Sequence, residues 1–407
     1  MPPRLRPSSS LANVRYEIRG PLARRAAELE KAGQTVIKLN IGNVGAFGFR
    51  APEAMRAAVA EGLASAGADA YCHQRGITAA REAVAAGERA RGIRDADAEH
   101  VFIGNGCSEL ILFALKALLE PGDEVLVPSP DYPLWTASAN INGGRAVHYP
   151  CAPERGFLPD PAEVERLVTP KTRALVIITP NNPTGAVYPR ALLQALVAIA
   201  EKHGLVVFSD EIYDQITYDG VEHVPVATLV TSTLCGTFNG LSKVHRACGW
   251  RVGWLSFSGD RSTAADYFLG LDLLASLRLC ANAPGQYAVA PAIADRSIRD
   301  LVKPGGRLYQ SRKALIDGVK RSKHLSVMQP GGALYAFIRI GTQRIRTIDD
   351  QQFALDLLEE KKVLIAPGRS FNVPYTDHFR STVLPDEAAI AEVFGRIEEL
   401  LDEYARR

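Results

Sequence analysis

Short, almost wholly apolar runs recur through the middle of this chain, at Val125–Val127, Ala174–Ile178, Leu205–Phe208, Thr233–Phe238 and Val252–Phe257. Strands covered on both faces carry this pattern, and stretches with helical spacing lie between them. Residues 55–300 therefore predict an α/β domain, a mainly parallel sheet between helices. Ser108–Leu119 is apolar nearly all round, which predicts a deeply buried helix. Pro189–His203 begins with a proline and stops at Gly204, the punctuation of another helix.

After residue 300 the character changes. Gly331-Gly332-Ala333 leads into a strand at Leu334–Ile338, a helix follows over Asp350–Lys361, and Val363–Ala366 reads as a further strand. A last helix opens at Pro385 and carries an apolar stripe through Ile390, Val393, Phe394, Ile397, Leu400, Leu401 and Tyr404. These elements predict a smaller α+β domain over 301–407. The strand-like run Thr35–Ile41, ended by Gly42, is assigned to the same lobe, so 1–54 forms an N-terminal arm plus part of the small domain. A chain of 407 residues exceeds one ordinary core, consistent with two lobes. Open α/β sheets place ligands outside the carboxyl ends of their strands, which puts the expected site between the lobes.

Composition narrows the function classes. With 47 basic and 45 acidic residues the chain has no electrostatic footprint for nucleic acid or an anionic membrane. No apolar run approaches the roughly 20 residues of a membrane span, and no apolar segment follows the basic MPPRLRPSSS. The six cysteines form no CxxC pair and no His/Cys cluster at zinc spacing, so no metal site is expected, and reduced thiols point to the cytoplasm.

The candidate chemistry centres on Lys243, in SKVHRACGWRVG. A lysine in this setting can hold an aldehyde cofactor covalently, and Arg251 can reach that cofactor's anionic end. Asp210 ends an apolar run, where a carboxylate can keep a heterocyclic nitrogen protonated; Tyr213 and Asn182 can bond a phenolic oxygen. Gly104-Asn105-Gly106-Cys107-Ser108 opens the buried helix, whose amino end attracts phosphate. Cys107 is read as contributing its backbone amide. Blander readings stand beside each: a surface lysine, a helix cap at Asp210-Glu211, and plain turn chemistry at Asn182-Pro183-Thr184-Gly185.

Taken together these motifs resemble the class I/II aminotransferases, the fold-type I pyridoxal-phosphate enzymes, over nearly the whole chain. That resemblance implies a seven-stranded, mainly parallel large-domain sheet and pyridoxal 5'-phosphate as cofactor. It implies that Lys243 binds the cofactor covalently, that Asp210 pairs the pyridine nitrogen, and that Tyr213 and Asn182 hold the phenolic oxygen. Gly106, Cys107, Ser108, Ser242 and Arg251 would form the phosphate cup, and Tyr132, in PDYPLW, would stack on the ring. Tyr71 would cross to a neighbouring subunit's phosphate, implying a homodimer with shared sites. Arg380, in DHFRSTVLP, would fork onto the substrate carboxylate with help from the backbone near Gly42.

Two departures stand out. Gly240 occupies the position of the usual hydroxyl three residues before the lysine, and Val44-Gly45-Ala46 lacks the proline that usually follows this Gly-Asn. A narrower likeness is carried by NVRYEIRGPL, LNIGN, IGNG, PDYPLWTA, NNPTGAVY, FNGLSK and PGGRLY, which are similar to bacterial glutamate–pyruvate (alanine) aminotransferases. There Tyr16 and Arg19 match residues near the substrate, although the arm could equally be a dimer strap. The implied reaction converts L-alanine and 2-oxoglutarate to pyruvate and L-glutamate by a ping-pong route. Alternatives on the same scaffold are transamination of valine, 2-aminobutyrate or aromatic amino acids, or a β-lyase or oxidase.

Overall fold

The computed structural model describes residues 5–8, 11, 14, 20–341, 345 and 348–406. Its strands, in chain order, are β1 (Ile37–Lys38), β2 (Val101–Gly104), β3 (Glu124–Ser129), β4 (Arg145–Ala152), β5 (Leu158–Pro159), β6 (Thr172–Ile178) and β7 (Val206–Asp210). They continue with β8 (Leu234–Gly240), β9 (Gly253–Gly259), β10 (Leu325–Val327), β11 (Tyr335–Ile340), β12 (Val363–Leu364), β13 (Ala366–Pro367) and β14 (His378–Thr382).

The large sheet runs β2-β9-β8-β7-β6-β3-β4-β5. Strands β4, β3, β6, β7 and β8 are mutually parallel, whereas β9 is antiparallel to both neighbours. The all-apolar run at 252–257 is thus buried on both faces without being parallel; burial sets that pattern, and direction leaves no trace in it. An eighth strand, β5, adds two residues at the edge beyond the expected seven. Alternate residues feed two separate cores. Val125, Val127, Val176 and Phe208 pack on one face, and Leu126, Leu175, Ile177 and Val207 on the other.

The Cys107–Leu118 helix buries Leu110, Ile111, Ala114 and Leu115, while Leu112, Phe113 and Leu118 stay half-buried. Its expected burial all round is therefore only partly realised within one chain. The smaller sheet is antiparallel, ordered β10-β11-β14-β13, and the Glu387–Tyr404 helix packs its apolar stripe into the same core. Strand β1 pairs in parallel with β12, bringing the N-terminal segment onto these C-terminal elements. It is shorter than the run 35–41 suggests. The Leu39 carbonyl accepts from Thr382 N and the Asn40 carbonyl from Arg380, so neither serves a longer ladder. No helix among the described residues is long and apolar enough to cross a membrane.

The carboxyl ends of β2, β3, β6, β7 and β8 converge on one edge, joined there by the start of β9. Gly240 and Gly253 face each other in register across β8 and β9. A Cβ at 240 would lie 2.7 Å from Gly253 Cα and 2.8 Å from Val252 O. Backbone fills the place where the usual hydroxyl would need to attach. Gly240→Ser should therefore lower stability by about 1–3 kcal/mol through overpacking, read as a lower urea midpoint, rather than gain from the restored hydroxyl.

Candidate active site

Where those strand ends meet the small lobe lies a cavity of about 720 Å³, lined among others by Gly42, Cys107, Ser108, Tyr132, Asn182, Asp210, Tyr213, Ser242, Lys243, Arg251 and Arg380. Asp210 is the last residue of β7, paired in register with Ile178 and Phe238. Lys243 follows the end of β8, and its Nζ donates to Gly42 O at 2.8 Å, bridging the two lobes.

Asp210 is nearly inaccessible, and burial pushes its carboxyl up to about 6 despite a Trp135 Nε1 hydrogen bond at 3.1 Å and the Lys243 charge. Its backbone contact with Ile212 N, 3.4 Å, opens no helix; the chain turns instead, so the cap reading of this carboxylate does not hold. A desolvated carboxylate favours a cation beside it. Trp135, which sequence reasoning passed over within PDYPLW, is fully buried and packed against Phe208 and Phe238. Its indole fixes the carboxylate that the cavity uses.

The anion end is built from backbone. Gly106 precedes the Cys107–Leu118 helix at φ 83° with no side-chain cap, leaving the helix's first amides available. A Cβ there would meet Arg251 Nη2 at 2.1 Å, so glycine lets the guanidinium close over the loop. Arg251, itself left-handed at φ 54°, donates to Cys248 O (2.9 Å) and Asn105 O (3.2 Å). Burial pushes the Cys107 thiol up, keeping it protonated, in line with a role for its amide rather than its sulfur.

Opposite, Arg380 on β14 is 1% exposed and donates to Asn182 Oδ1 at 2.8 Å and to Asn40 O. Its Nε has no hydrogen-bond partner among the described residues. The guanidinium lies 4.2 Å over the Tyr335 ring and 4.7 Å over Phe371, which hold its plane. Tyr335 is a second residue not singled out from sequence. Its hydroxyl meets that of Tyr213 at 3.2 Å. Burial would raise the Tyr335 hydroxyl, but Lys243 and Arg380 bring it below the usual phenol range. A Cβ on Gly42 would overlap that hydroxyl at 2.1 Å, which is why glycine stands there.

Tyr71 does not line this cavity; it is 79% exposed on the surface of its own chain. Tyr16 and Arg19 lie outside the described residues. The residues present suit a phosphorylated pyridine aldehyde. They offer an amine, a buried carboxylate for a ring cation, an uncapped helix end with an arginine for a dianion, and a buried guanidinium with an unused N–H.

The family model for aminotransferase class I and II matches residues 34–397. Glutamate-pyruvate aminotransferase AlaA of Escherichia coli K12 is 47% identical over 398 residues, 98% of each chain. Alanine aminotransferase of Mycobacterium tuberculosis H37Rv is 44% identical over 399 residues, 98% of this chain and 92% of its own. Among solved structures, an aminotransferase from Escherichia coli superposes with a TM-score of 0.96 at 45% identity, covering 98% of this chain and 99% of its own. An alanine aminotransferase from Pyrococcus furiosus gives a TM-score of 0.91 at 33% identity, covering 98% of this chain and all of its own. The chain belongs to the class I and II aminotransferases and is a pyridoxal-phosphate-dependent enzyme of that family.

Proposed function

We propose that this enzyme transfers the amino group of L-alanine to 2-oxoglutarate, giving pyruvate and L-glutamate in two ping-pong half-reactions. The observation that carries this reading is the single cavity lined by Lys243, Asp210 and Arg380. The names of the relatives, glutamate-pyruvate and alanine aminotransferase, support the substrate pair.

Bound there, pyridoxal phosphate would supply an aldehyde for the amino group and a ring that acts as an electron sink. Lys243 Nζ would hold the cofactor and, when free, would move a proton at the substrate α-carbon. Asp210 keeps the ring nitrogen protonated through charge pairing. Tyr213 and Asn182 hold the phenolic oxygen, and Tyr132 covers the ring. Ser108, Ser242, Arg251 and the backbone at Gly106 and Cys107 hold the phosphate. Arg380 would orient the substrate carboxylate with the backbone at Gly42, while Arg19 would serve glutamate's second carboxylate and Tyr16 would lie near the substrate.

The active form in this reading is a cytoplasmic homodimer in which Tyr71 reaches the partner's phosphate. The six cysteines are unpaired, in keeping with a reducing compartment. Leu269, Leu273 and Leu277 form an exposed stripe on the Ala265–Leu277 helix. An Arg75–Asp272 ion pair ties that helix to the loop following Tyr71. An exposed leucine stripe of this kind suits a second copy of the chain.

L-Alanine without an oxo acid should release one pyruvate per active site and stop; continuous release would contradict transamination and favour a lyase or oxidase. Lys243→Ala should lower turnover by about 10²–10⁴-fold in a stopped-flow half-reaction, and a native rate would remove Lys243 from the chemistry. Leu273→Glu should shift the molecule from dimer to monomer by sedimentation and reduce activity with it.

A further inference from the structure

Behind the turn that carries Asp210 and Tyr213 lies a second, buried group of charges. Arg91, just past the Thr78–Ala90 helix, contacts Glu88 at 3.0 Å, Asp214 at 3.6 Å and Glu211 more closely still. All three carboxylates are buried, Glu211 completely. Glu211 also accepts from Ser209 Oγ (2.8 Å), Val226 N (2.9 Å) and His223 Nε2 (3.0 Å). A cavity of about 580 Å³ opens over this group, lined by Glu88, Arg91, Asp214, His223, His245 and Trp254. Asp214 Oδ1 and His223 Nδ1 find no hydrogen-bond partner among the described residues. Residues 210–215 thus form one wall between two cavities, the active site on one side and this charged chamber on the other.

We propose that Arg91 is a positioning residue for the reaction: gripping Glu211 and Asp214 from behind, it fixes the turn that presents Asp210 and Tyr213 and sets the electrostatic potential at Asp210. The proposal rests on Asp210 serving as the partner of the ring nitrogen. Glu211 is the neighbour of Asp210, and its negative charge pushes the Asp210 carboxyl further up, in addition to burial. Burial opposes ionisation of Glu211 too, yet Arg91 first and His223 next hold it at about 2. Glu88, raised to about 7 by burial, is the group that gives way in the cluster. Facing it from other elements are Cys235 on β8, whose thiol burial pushes up, and His245 with Asp295; Glu222, Arg296 and Arg299 line the same chamber. Without Arg91, Glu211 keeps its contacts with Ser209, Val226 and His223, and no guanidinium offsets the Glu211 charge beside Asp210.

The sign follows. Losing the cation makes Asp210 harder to ionise, and losing the Glu211 anion makes it easier. In the cofactor-loaded enzyme, the pH midpoint of the bound cofactor's absorbance and the acid limb of kcat/KM report this. Arg91→Met should move both upward by about one pH unit, Glu211→Gln should move them downward, and the double variant should return near the native values. Arg91→Lys should shift them less than Arg91→Met. If Arg91→Met does not fold, Arg91→Lys decides the matter: a smaller upward shift supports the proposal, and native midpoints overturn it. Unchanged midpoints accompanied only by a lower melting temperature would overturn the proposal. Asp210→Asn serves as the control: native spectra and turnover there would overturn the role of Asp210 itself, whereas an altered spectrum with unshifted charge variants would overturn only the role of Arg91.

Discussion

Everything in the active site answers to one electrostatic problem, a carboxylate kept out of water. Asp210 sits at the end of a central strand with hydrophobic core beneath it, and burial opposes its ionisation, pushing its carboxyl up to about 6. Trp135 donates one hydrogen bond, and Lys243 supplies a positive charge within the same cavity. In the proposed function, a protonated ring nitrogen would complete the set. The fold's contribution is to end β7 at this residue and to close the cavity above it with Arg380 from a different lobe.

That closure depends on the small lobe being held in register with the large one. Lys243 reaches Gly42, Arg380 reaches Asn182 and Asn40, and Tyr213 meets Tyr335, so each contact joins segments far apart in sequence. These contacts hold the Arg380 guanidinium in the wall of the same cavity that Cys107 and Arg251 line. Glycine at 42 and 106 is needed because Tyr335 and Arg251 occupy the space a side chain would take.

Much of this was legible in the residues. The apolar runs located β3, β6, β7, β8 and β9, and Lys243, Asp210, Asn182 and Arg251 were each chosen by the chemistry that their flanking turns permit. What escaped notice did so for physical reasons. Strand β14 carries His378, Arg380, Ser381 and Thr382 at buried positions, which hides its period beneath polar side chains. Trp135 and Tyr335 look like ordinary core aromatics, and only their placement beside Asp210 and Arg380 reveals their second use. The run 35–41 promised a longer strand than β1 because periodicity does not record that its carbonyls serve Arg380 and Thr382.

The central claim is that Lys243 grips the cofactor opposite Asp210. Borohydride treatment of the cofactor-loaded enzyme, followed by peptide mass mapping, tests it directly. The account predicts the pyridoxyl-phosphate mass on the peptide bearing Lys243 and on no other; a label on a different lysine, or none, would contradict it.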